Sequence, residues 1–145
     1  MRIRLAGLTA TLVTGCVLAG CGSSETADTA KIKRVVTSEL ADLAAGKGGA
    51  ACALATPLGQ AQLASGSSAH TCSAAIDEVS AHLSAAIKDG LRTAQVNKVT
   101  ITGGSATVSD ADITSTQGSL RGFLNPASAP TVLTKQPDGS WEIAG

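Results

Sequence analysis

Glu39 stands on a helix face that is otherwise apolar, which makes it the carboxyl group in this chain best placed for chemistry. Ile32, Val35, Val36, Leu40 and Leu43 recur at helical spacing and define that face. At 100° per residue, Glu39 projects within about 40° of the centre of the stripe. Either its side chain passes Val36 and Leu43 to reach solvent, or it faces a polar cavity, where burial would raise its pKa and suit it to act as a base. The two histidines are less suggestive. His70 lies near the first turn of a helix carrying Cys72, and His82 follows Glu78 by one turn, a spacing suited to a solvated ion pair. Neither has a carboxylate in the core to orient it. Asp110 and Asp112 have a spacing that suits calcium, but the residues after them lack the Gly and distal Glu of a binding loop. No Gly-x-Ser-x-Gly, Ser-x-x-Lys, His-Glu-x-x-His or Gly-rich phosphate loop is present. No metal, no cofactor and no catalytic residue is therefore expected; Glu39 as a general base is the one enzymatic alternative.

A different kind of chemistry is written at the N-terminus. Arg2 and Arg4 precede a mild apolar run from Leu5 to Leu18, with no acidic residue before Glu25. The run is too short to span a bilayer as a helix and has the length of a signal-peptide apolar region. It ends in Leu18-Ala19-Gly20-Cys21, which resembles a bacterial lipobox. That resemblance implies cleavage between Gly20 and Cys21 and a diacylglyceryl thioether on the Cys21 sulfur. At about 0.8 kcal/mol per buried methylene, two acyl chains make release from a membrane negligible. Residues 1–20 then form the signal peptide and residues 21–29, small or polar, a lipidated flexible tether. The expected location is the extracytoplasmic face of the cell membrane.

Removing residues 1–20 takes away Arg2 and Arg4, leaving 9 basic against 11 acidic residues and a formal net charge of −2. A weakly acidic domain lacks the field that nucleic acid or anionic lipid would need, so the membrane is expected to hold the chain through its acyl groups and nucleic acid is not an expected partner. Aromatics are nearly absent, with Phe123, Trp141 and no Tyr. A core built from Ala, Val, Leu and Ile buries less area per residue than one with aromatics. Cys16 belongs to the signal segment, so Cys52 and Cys72 are the cysteines left besides Cys21. An exported compartment permits a disulfide between them, worth about 3 kcal/mol for a loop of roughly 20 residues.

These groups need elements to position them. The first helix should start from a cap at Asp28 or Thr29 and stop at Gly46. A short helical piece over residues 50–55 carries Cys52, and Thr56-Pro57 starts another over 58–64. Thr71 caps a longer helix with a stripe of Cys72, Ile76, Val79, Leu83, Ala86 and Ile87, so that the disulfide would tie the short helix to the core side of the long one. After Gly90 the apolar period changes to 2. Val99 and Ile101, the Gly103-Gly104 turn, and Ala106 and Val108 make a hairpin. Residues 113–116 extend a strand, 119–130 form an irregular loop, 131–135 a strand, 136–140 a turn, and Trp141 with Ile143 a last strand. The result is an α+β domain over residues 30–145, its N-terminal helices packed on a curved, cone-like antiparallel sheet and preceded by the signal peptide and tether.

The order of a helix, Ala-Ala-Gly, Ala-Cys-Ala-Leu-Ala-Thr-Pro, a Cys-bearing helix, a hairpin and a closing Asp-Gly-Ser-Trp-Glu-Ile resembles small bacterial lipoproteins with a nuclear transport factor 2-like (cystatin-related) domain. Glu39 departs from that pattern, at a position typically apolar, as does the long loop over 119–130. Relatives of this fold include isomerases, dehydratases and epoxide hydrolases working in the cone between helices and sheet, but with no Tyr an isomerase-like oxyanion donor is missing. The resemblance therefore implies a non-enzymatic binding or interaction module. Glu39 and Phe123 would line or border its candidate pocket, and its partner would be a small apolar ligand or an envelope protein. The alternatives are an accessory envelope domain without a pocket, or an enzyme with Glu39 as base.

Overall fold

The computed structural model describes residues 21–65, 67–68 and 70–144, with side chains from Ser24 onward. The signal-peptide reading, including Gly20 at the cleavage point, lies outside the described residues, as does the Cys21 side chain. Helix α1 spans Cys21–Ala44 and buries Ile32, Val36, Leu40, Leu43 and Ala44. It begins earlier than the expected cap at Asp28 or Thr29, with backbone helical geometry from Cys21 onward. No Gly or Pro occurs between Gly22 and Gly46, and Asp28 is held by an ion pair to Lys135. Residues 24–27 are exposed. At the other end Gly46, with φ +64°, stops the helix as expected, and the Lys47 amide returns to the Asp42 carbonyl.

Helices α2 (Gly48–Cys52) and α3 (Pro57–Ser65) follow. Thr71 caps α4 (Cys72–His82), its hydroxyl accepting from the Ala74 amide. The single long helix expected here is two. Leu83 is extended, and Ser84 caps a separate α5 (Ala85–Arg92) by accepting from the Ile87 amide. The buried face of α4 is accordingly Cys72, Ala75, Ile76 and Ser80, and Val79, expected inside, is 43% exposed. Cys52 and Cys72 are joined by a disulfide with their Cα atoms 6.1 Å apart, tying α2 to α4.

Strands β1 (Ala94–Val96), β2 (Thr100–Thr102), β3 (Ser105–Val108), β4 (Ile113–Ser115), β5 (Thr131–Lys135) and β6 (Trp141–Ile143) complete the α+β architecture. They form two antiparallel sheets rather than one. Four strands run in the order β2–β3–β5–β6, while β4 turns away to pair with β1. The β2–β3 turn uses Gly103 at φ +61°, a conformation that disfavours a side chain. Alternation turns Ala106, Val108, Leu133, Trp141 and Ile143 inward, where they meet Ile32, Val36 and Leu91 in one core. Beyond β6, the segment between α2 and α3 pairs in parallel: the Thr56 amide donates to the Ile143 carbonyl and the Ile143 amide to that of Leu54. All of this core lies between Ile32 and Ile143, so the chain from residue 22 onward carries the whole of it.

Candidate functional site

Glu39 lines a cleft of about 480 Å³ where α1, α3, the loop before β5, and strands β5 and β6 come together. Gly59, Gln62 and Leu63 form the α3 wall, Ala129 to Val132 the opposite wall, and Ile143 belongs to the floor strand. The close approach of α3 depends on Gly59, where a Cβ would sit 2.8 Å from the Ile143 carbonyl oxygen. Thr56 caps this helix by accepting from the Gly59 amide, and the Gln60 side chain bonds the Cys52 and Ala55 carbonyls, fixing α3 to the segment along β6.

Glu39 is half-buried, and its carboxyl has no hydrogen-bond or ion-pair partner among the described residues. Burial pushes it up to about 7 from an ordinary 4.5, because desolvation disfavours the charged form and no nearby cation opposes it. The cleft therefore holds a carboxyl that changes charge near neutral pH. Its other polar side chains are the Gln62 amide and the Thr131 hydroxyl; the rest of the lining is apolar or glycine. Of the two outcomes open to Glu39 from sequence, it faces a cavity, though a mostly apolar one.

Phe123 does not share this site. It lines a second cleft of about 520 Å³ with Ser67, Ser68, Ala75, Glu78, Val79, His82 and Leu83. The long loop explains the separation. Its start is held when the Ser119 amide donates to the Ala86 carbonyl, and its middle when the Asn125 amide donates to Asp110 Oδ2 at 2.9 Å. Phe123 is thus carried toward α4, and only the end of the loop, Ala129 and Pro130, reaches Glu39. The contributions of Gln62, Leu63 and residues 129–132 carry no local sequence signal, since the docking of α3 along β6 supplies the first two and distant loop anchors the others.

His82 is exposed, and no ion pair joins it to Glu78, whose carboxylate accepts from Ser68 Oγ at 3.5 Å instead. His70 is exposed as well. Asp110 and Asp112 sit in a short 3-10 turn, where Asp110 anchors the loop. Among the described residues no group of three or more His, Cys, Asp or Glu is gathered in a way that could hold a metal ion. No helix among them is long and apolar enough to cross a membrane. The chain matches no protein-family model, no curated protein and no solved structure.

Proposed function

We propose that this chain is a membrane-anchored extracytoplasmic lipoprotein whose domain binds a small, largely apolar ligand in the Glu39 cleft without transforming it. Kinship with nuclear transport factor 2-like lipoproteins is part of the same proposal, supported by the order of motifs described above. The observation that carries the binding role is a carboxyl group without a protein partner in an open, mostly apolar cleft of about 480 Å³. Small-molecule sites have this character: a volume of ~300–1,000 Å³, apolar walls and a few polar groups that fix orientation. General-base catalysis draws less support, because the cleft offers Glu39 no titratable partner to act as the complementary acid.

Native mass spectrometry of the chain from residue 22 onward, purified gently from its own envelope extract, tests the binding role. A co-purified mass that disappears in Glu39→Leu is expected. A bare mass for the native chain, with the disulfide intact, would favour an accessory domain instead. Anchoring is tested separately by labelling cells with a palmitate analogue. Label should enter the native chain and be absent from Cys21→Ser, and equal labelling of both would overturn the lipid anchor.

A further inference from the structure

The chemistry of the cleft narrows the ligand beyond its being small and apolar. Among the described residues the Glu39 side chain is the one charged group lining it, and the Gln62 amide oxygen and the Thr131 hydroxyl are further groups able to accept a hydrogen bond. No Lys, Arg or His from α1, α3, β5, β6 or the loop before β5 lines the cleft. An anionic ligand would set a second negative charge beside Glu39 with no cation to balance it. A purely apolar ligand would take water from the carboxyl and give no hydrogen bond in return, which is costly. An ammonium group supplies both a counter-charge and three donors, and charge-assisted hydrogen bonds are roughly twice as strong as neutral ones.

We propose that the cleft takes a primary ammonium compound with a short apolar body, the ammonium on Glu39 and the body against Leu63, Pro130, Val132 and Ile143. This assignment rests on the ligand-binding role proposed above and specifies its chemistry. A free alkylamine and the amino end of a larger apolar molecule present the same group.

The test is an NMR titration of the 15N-labelled chain from residue 22 onward with n-hexylamine, n-hexanol and hexanoate at pH 8. At that pH the amine is cationic and hexanoate anionic, by analogy with Lys and Glu side chains. Hexylamine should shift the amides of residues 62, 63, 129, 131 and 132 and bind at least tenfold more tightly than either other compound. Glu39→Gln, close in shape, should weaken hexylamine at least tenfold and change hexanol little. Ala129→Trp, at an exposed position on the rim, should weaken hexylamine with Glu39 intact, guarding against a folding defect in the first variant. Equal affinity for hexylamine and hexanoate, hexylamine binding that survives Glu39→Gln, or shifts lying elsewhere would overturn the ammonium assignment. So would no binding by any of the three. The broader binding role stands or falls independently, on the mass co-purified from the envelope extract.

Discussion

The Asp28 carboxylate accepts a 2.7 Å hydrogen bond from the Lys135 ammonium, joining the early part of α1 to β5 across 107 positions of sequence. Lys135 also stands over the Trp141 ring, 5.8 Å from its centroid. Among the described residues the buried Trp141 indole N–H has no acceptor at bonding distance, and Asp28 is the carboxylate it faces. Lys135 first, then Trp141, lowers the Asp28 pKa. A second strap runs from Lys31 Nζ to the Gly139 carbonyl at 3.0 Å. Asp28→Asn should therefore loosen the start of α1 without unfolding the domain. Hydrogen exchange should quicken at amides 24–30 and stay unchanged in β5 and β6; protection unchanged at 24–30 would show that the pair holds nothing. Because the Asp28 pKa is lowered on folding, this contribution is present above the ordinary carboxylate value and is lost as pH falls through the folded one.

Glu39 gives a pH dependence of opposite sign. Its pKa rises from 4.5 to about 7 on folding, so between those values the folded chain holds a proton that the unfolded chain has released. The stability associated with Glu39 is complete below pH 4.5 and lost as pH rises through 7. The shift corresponds to about 3 kcal/mol at most. Urea denaturation of the native chain should show stability declining from pH 5 to pH 8. Glu39→Gln should flatten that decline, and Glu39→Leu should leave the domain more stable than native at pH 8. An unchanged slope in Glu39→Gln would remove Glu39 as its source.

Both cysteines of the bridge are 6% exposed, and the bond closes a segment with a sequence separation of 20. Replacing both by Ala should lower stability by about 3 kcal/mol through the wider freedom of the unfolded chain. Reductant should act slowly on the folded protein and quickly in urea, as followed by thiol titration. A double variant as stable as the native chain would show that the helix contacts suffice without the bond.

Gly59 and Gly49 differ in what a methyl group would meet. At Gly59 it would press on the Ile143 carbonyl oxygen at 2.8 Å, and that backbone is held by the Thr56 amide. At Gly49 the nearest atom is Ser73 Oγ at 4.0 Å. Gly59→Ala should cost about 1–3 kcal/mol by forcing α3 away from β6. Gly49→Ala, inside α2, should be neutral or stabilising by up to about 1 kcal/mol. Thermal melts of the two variants compare them directly, and equal Tm values would contradict the close packing of α3.

Much of the fold was legible because local chemistry and tertiary packing agree. The α1 stripe at Ile32, Val36, Leu40 and Leu43, the Thr71 cap, the Gly103 turn and the inward Trp141 and Ile143 are features of this kind. The break at Leu83 was hidden because an apolar periodicity continues across it, although Ser84 in mid-pattern is the cap that marks it. The three-residue β1 was missed because so short an alternation, Ala94 and Val96, means little until β4 pairs with it. Glu39 could be singled out from its own helix. Its neighbours could not, since residues 129–132 reach it only after Ser119 and Asn125 have been anchored far away. Phe123 lines a different cleft from Glu39 for the same reason.

The strip of chain from Leu54 to Thr56 along β6 has a consequence for self-association. Exposed strand edges recruit other chains, and proteins held close together at high density meet that hazard most often. Here the β6 margin is occupied by the molecule's own backbone. The opposite margin of the four-stranded sheet is β2, only three residues long and preceded by Lys98. Two copies brought side by side would thus find little on this sheet to zip together, a property suited to crowded surroundings.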